Sequence, residues 1–246
     1  MSVDVDVDLG SAVVSYRPAV GKERCLPSDR TSAAALFEAV PWRTFRWYYG
    51  QRHYSGSWWS STMRDHVIYE SRLELSRLVL ADFDPFVRRI AAQPFMMTAT
   101  VQGHPRRHIL DYLWDTADGP VVVDVVRAER LTHPDIDLLC RWTGAVVEAR
   151  GWDYRVLSEP PSVHLDGVGF LAGYRRDWLI DTEILWKMRS RIGDLAGLTI
   201  AGAEAEFAAH PHPLVRSALM HLLWCHELRV DLDKPLQPTT VLEVVG

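Results

Sequence analysis

The chain has 246 residues, 48% hydrophobic and 24% charged, enough for one large globular domain or two small ones. Its net charge of −5 gives no global attraction to nucleic acid, and no apolar run approaches the roughly 20 residues that span a bilayer. Cys25, Cys140 and Cys225 are too few and scattered for a disulfide framework. The first residues, MSVDVDVDLGSAVV, are acidic where a secretory signal is basic, so the expected compartment is the cytoplasm, away from any membrane.

Residues 1–40 read as a partly flexible lead-in. The Val-Asp alternation of residues 3–8 has strand period but is short and acidic, and Thr31 to Val40 ends the lead-in as a short helix. Residues 42–59, WRTFRWYYGQRHYSGSWW, interleave aromatics with Arg. They fit either a surface that stacks on bases and tracks phosphates or aromatic strands packed on a core, with Gly50 and Gly56 at turns. Residues 41–110 hold ten Arg, no Lys and five acids, which makes Arg43, Arg46, Arg52, Arg106, Arg107 and His108 candidate DNA contacts.

Residues 69–82 form a predicted helix. Ser71 and Glu74 have capping-box spacing, Leu75, Leu78 and Val79 share a face, and Asp84-Pro85 stops it. Phe95 to Val101 is a predicted strand and Gly103 to Pro105 a turn. Arg106 to Arg127 then reads as a hairpin: two apolar runs around an Asp-Gly-Pro turn, each carrying one acid, Asp111 and Asp124. A carboxylate among buried strands needs a partner. Two on adjacent strands can offer oxygens to a divalent cation; the alternative is that both sit in water at strand ends. Asp135 to Arg150 is a predicted helix and Tyr154 to Leu157 a strand.

The predicted order of helix, three antiparallel strands, helix and strand describes an α/β domain with a mixed sheet, over residues 41–160. After Glu159-Pro160-Pro161 the texture changes. Helices over 177–190, 203–209 and Leu214 to Leu228, then a proline-bearing hairpin, suggest a winged-helix-like module over 161–246. His210, His212, His221, Cys225 and His226 are zinc-type ligands whose spacing fits no standard zinc module.

The element order, with acids at Glu74, Asp111 and Asp124, resembles the restriction-endonuclease-like core. HVIYESRLEL, DFDPFV, Gln93-Pro94, RRHILDYL and GPVVVDVVR, within residues 66–159, resemble the TnsA family of heteromeric transposase endonuclease subunits; the resemblance extends through GWDYRVLSEPP and more weakly to FLAGYRR at 170–176. The resemblance implies a metal-dependent endonuclease that cuts double-stranded DNA at a transposon end. Its partners would be a strand-transfer transposase and an ATPase regulator. Glu74, Asp111 and Asp124 would be the catalytic carboxylates and would hold Mg²⁺ or Mn²⁺, which stabilises charge on the attacking and leaving oxygens. Two positions depart from the family pattern. Leu110 replaces the proline before Asp111, and Val126 stands where the fold uses a lysine to position or deprotonate the attacking water. Arg127 is a possible substitute, although strand alternation points it to the other face unless a bulge intervenes. A non-cutting DNA-binding adaptor that recruits transposition partners is the alternative.

Overall fold

The apolar run from Arg106 to Trp114 is not one strand. In this computed structural model, which describes residues 5–43 and 54–244, the chain bends at Leu110-Asp111 and passes from one sheet into another. The chain divides into two units between Glu159 and Pro160, and the architecture is mixed α/β with several helices.

The first unit begins with β1 (Val7–Pro18), paired antiparallel with β2 (Arg24–Pro27). After α1 (Ala33–Phe37), β3 (Ala39–Val40) pairs with the end of β1. The expected partly flexible lead-in over residues 1–40 is therefore corrected for the stretch from Val7 onward: its three strands build part of a sheet, with α1 between them. The physical reason is the alternation of Ala12, Val14 and Tyr16, all buried, which anchors β1 by an apolar face. A register shift between Asp8 and Val13 separates that face from the acidic start.

Strands β4 (Gly56–Ser60) and β5 (Asp65–Tyr69) form a hairpin ahead of α2 (Arg72–Phe83). Asp82 near the end of α2 is buried, and it accepts from Trp58 Nε1 at 2.9 Å, Ser60 Oγ at 2.6 Å and the Thr62 amide at 2.9 Å. These donors satisfy the buried carboxylate and dock the hairpin on the helix. Then come β6 (Val87–Ala92), β7 (Met96–Val101) and β8 (His104–Ile109). The turn between β7 and β8 holds Gln102 and Gly103 at φ 51° and 74°, the left-handed pair that tight hairpins use. Beyond the bend, β9 (Tyr112–Thr116) and β10 (Gly119–Val125) pair antiparallel, α3 (Pro134–Glu148) crosses over, and β11 (Asp153–Leu157) returns parallel to β10.

One sheet has the order β2-β1-β7-β8, with β3 beside β1, and the other β11-β10-β9-β6. Helices α2 and α3 cover opposite faces of the second sheet. Leu78 and Ala81 of α2 pack with Ile90, Tyr112, Trp114, Val121 and Val123. Trp142, Val146 and Val147 of α3 pack with Leu113 and Val122, and with Met97 and Val101 of the first sheet. Period-2 alternation along β9 and β10 sends neighbouring residues to the two cores.

In the second unit, α4 (Ser162–Leu171), α5 (Thr182–Ser190), α6 (Ile192–Leu195) and α7 (Ile200–Ala205) precede α8 (His212–Trp224). Val215 and Ala218 through Trp224 are all buried, so α8 is the centre of this unit. β12 (Leu228–Arg229) and β13 (Glu243–Val244) pair over only two residues each, with residues 230–242 between them, where a longer hairpin was expected. No helix among the described residues is long and apolar enough to cross a membrane.

Candidate functional site

Glu74 is the third residue of α2, and Ser71 is the N-cap. Ser71 Oγ accepts from the Glu74 amide at 3.1 Å; Glu74 Oε2 accepts from the Glu70 amide at 2.7 Å and Oε1 from Ser71 Oγ at 2.9 Å. Ser71 thus makes the cap bond of a capping box, while Glu74 returns to the Ser71 hydroxyl and to the amide one residue before it, so both of its carboxylate oxygens are engaged at the helix start. Burial pushes the Glu74 carboxyl above its ordinary range, and neighbouring Glu70 adds to this, against the two hydrogen bonds and Arg43.

Asp111 sits at the bend between β8 and β9. β9 begins at Tyr112, opposite Val123, so the amide of Val125 lies beyond the paired strand. That amide donates to Asp111 Oδ2 at 2.7 Å, and the Asp111 carbonyl accepts from the Gln93 amide at 2.8 Å. The carboxylate thus ends the ladder where a strand carbonyl is missing. Burial pushes the Asp111 carboxyl well above its ordinary range; Asp124, Glu74 and Glu70 push in the same direction, and the Val125 amide opposes them.

Asp124 is 2% exposed. His108 Nε2 lies 2.9 and 2.8 Å from its two oxygens, and Tyr154 donates its hydroxyl to Oδ2 at 2.7 Å. Asp124 therefore belongs to the α3 side of the sheet, where the His108 ring also stands edge-on to Trp142. Burial, together with the charge of Asp124, holds the Tyr154 hydroxyl protonated.

Two residues that the sequence did not mark as site residues connect the acids. Gln93, buried at φ +46°, donates Nε2 to Glu70 Oε1 at 2.6 Å and accepts the Arg43 amide on Oε1 at 3.2 Å. Tyr154, read only as part of a strand, is the second donor to Asp124. The register of β10 with β11 sets Tyr154 opposite Val122, two residues from Asp124 on the same face. Glu70, which directly precedes the N-cap Ser71, acts on both Glu74 and Asp111.

Asp111 and His108 line one cleft of about 560 Å³ with Arg43, Arg107, Trp42 and Met96. Arg43 also meets Glu70 at 3.3 Å, so part of its charge is already answered. Arg106 is exposed on β8, an edge strand. Arg46 and Arg52 lie outside the described residues. Arg127 is exposed; with Arg77 it holds Glu159 below the ordinary carboxylate range, behind the larger effect of the Ala128 amide. Val126 is bonded through its amide to the Leu157 carbonyl at 2.9 Å.

No group of three His, Cys, Asp or Glu side chains among the described residues is set to grip a metal. Of the zinc-type residues, His221 is buried, with Nδ1 2.7 Å from the Tyr174 carbonyl and Nε2 3.4 Å from Cys225 Sγ. No family model matches the chain, and no curated protein matches it either. The Asp111 carboxylate, bonded only through Oδ2, suits a hard divalent cation, whose charge would offset the repulsion on it; Glu74 could join it only through the second lone pairs of oxygens that already accept cap bonds. Asp124 suits it less well, because His108 faces both of its oxygens.

Proposed function

We propose that this chain is the metal-dependent DNA endonuclease subunit of a heteromeric transposase, of the TnsA kind, acting at a transposon end. The observation that carries the reading is the cleft in which Asp111, pressed by Glu74 and Asp124, lies beside Arg43 and Arg107. The second sheet with α2 and α3 is the restriction-endonuclease-like core of this reading, and the unit after Glu159 is its winged-helix-like module. Arg43, Arg106 and Arg107 hold phosphates of duplex DNA without reading bases. Glu74 and Asp111 hold Mg²⁺ or Mn²⁺, with Asp124 behind them. The ion, when bound, stabilises charge on the attacking and leaving oxygens of the phosphodiester. The second unit carries eleven acids and eight Lys or Arg from residue 160 onward, a balance that favours docking on a protein partner, the strand-transfer transposase or its ATPase regulator.

One observation favours a second reading, a non-cutting adaptor of the same fold that recruits transposition partners. Val126 occupies the position of the helper lysine, and the nearest sequence substitute, Arg127, acts on Glu159. A nicking assay on supercoiled DNA carrying transposon ends, in Mn²⁺, separates the two. Cutting by wild type and none by Asp111→Ala supports the endonuclease. An inert wild type alongside an active Val126→Lys variant supports the adaptor.

A further inference from the structure

Asp124 is the acid that the resemblance makes a metal ligand, yet its oxygens already face protein donors. His108 Nε2 is in contact with both oxygens, at 2.9 and 2.8 Å. Tyr154 adds a second donor at 2.7 Å. With Nε2 engaged by Asp124, Nδ1 is the ring nitrogen left to bind a cation. His108 lines the same cleft as Asp111, and its side chain keeps 17% exposure. The bend of the chain just after β8 places Asp111 three residues further on and turns it to the end of β10. An imidazole fixed from behind by a carboxylate, with its other nitrogen open, is the usual form of a histidine that binds a metal.

We propose that His108 is a metal ligand beside Asp111, and that Asp124 and Tyr154 support it without binding the ion themselves. This rests on the metal-dependent reading above and changes its ligand set and its ion. An imidazole nitrogen added to a carboxylate site favours a transition-metal dication such as Mn²⁺ over Mg²⁺, which keeps to oxygen. It also accounts for an Asp-His-Tyr cluster around a buried carboxylate that a pure carboxylate site leaves without a role.

The test is calorimetric titration of the full chain with Mn²⁺ and with Mg²⁺, together with pulsed electron paramagnetic resonance of bound Mn²⁺. Mn²⁺ is expected to bind at least about tenfold more tightly than Mg²⁺. The bound ion should show coupling to an imidazole nitrogen, and His108→Gln should remove it. Asp124→Asn should keep that coupling while weakening Mn²⁺ by about 10- to 100-fold, the usual effect of losing a supporting carboxylate. Bound Mn²⁺ without a nitrogen coupling, or a coupling that survives His108→Gln, overturns the role of His108 and leaves the metal reading standing. A wild type that binds neither ion overturns both. Should His108→Gln not fold, anomalous scattering from Mn²⁺-soaked wild-type crystals decides without a variant: an ion bonded to His108 and Asp111 is expected, and an ion held by carboxylates alone overturns the proposal.

Discussion

His108 and Asp124 join two sheets: β8 belongs to the first, β10 to the second, and the imidazole spans them with Nε2 2.9 and 2.8 Å from the two carboxylate oxygens. Tyr154, on β11, completes the cluster. Tyr154→Phe takes one of these donors from a buried carboxylate and keeps the ring. Hydrogen bonds to charged groups are worth about 1.5–3 kcal/mol, so urea unfolding should show a loss in that range. A loss below about 0.5 kcal/mol, the range of an ordinary surface change, would mean that His108 alone satisfies Asp124.

Asp111 should make the fold less stable as pH rises. Its carboxyl is pushed well above the ordinary value by burial and by Asp124, Glu74 and Glu70, so the folded state holds this proton more tightly than the unfolded chain. Stability from this group is then fully present below about pH 4, where an unfolded Asp titrates, and is lost as pH climbs toward the raised value. Asp111→Asn keeps an acceptor for the Val125 amide and discards the charge. The variant should be more stable than wild type at pH 7 and lose that advantage near pH 4, measured by thermal unfolding across pH. A variant less stable than wild type at pH 7 would mean that the repulsion is already compensated.

Much of this arrangement was legible in the sequence. Ser71 and Glu74 give α2 its start because the capping is local chemistry, complete within five residues. The β9–β10 turn is local too, with Gly119 at φ 115°. What escaped was tertiary. Ile109-Leu110-Asp111-Tyr112 looks like continuous strand, and nothing in its periodicity marks a change of sheet, because apolar residues fill both faces, Leu110 and Leu113 entering one core and Tyr112 and Trp114 the other. β1 was hidden by its acidic first residues and by the register shift that restarts its alternation near Ala12. Arg content proved a weak guide as well: Arg89 pairs with Glu38, and Arg77 donates to the Ser158 carbonyl.

Gln93 predicts an inverted order of damage. At φ +46° a residue with a side chain pays for a left-handed backbone, about 1–2 kcal/mol, which glycine escapes. Gln93→Ala loses the hydrogen bonds to Glu70 and Arg43 and keeps the strain; Gln93→Gly loses the same bonds and relieves it. Glycine, normally the worse replacement, should therefore be the milder of the two by about 1 kcal/mol in denaturant unfolding. Equal losses would show that the left-handed conformation carries little strain here.

Glu74 has two roles to separate, cap and ligand, and they respond differently to an amide. Gln serves as well as Glu at the third position of a capping box, so Glu74→Gln should remain within about 0.5 kcal/mol of wild type in stability. Any shift at neutral pH should be upward, because burial and Glu70 already push this carboxyl toward its neutral form. Ser71→Ala, by contrast, removes the cap and should cost about 1 kcal/mol. A ligand role reverses the ranking: Glu74→Gln should weaken Mn²⁺ binding and nicking, whereas Ser71→Ala should leave the carboxylate charge in place and cut. If Glu74→Gln binds Mn²⁺ and nicks DNA as wild type does, Glu74 serves the helix alone, and the ion must be held by groups gathered around Asp111.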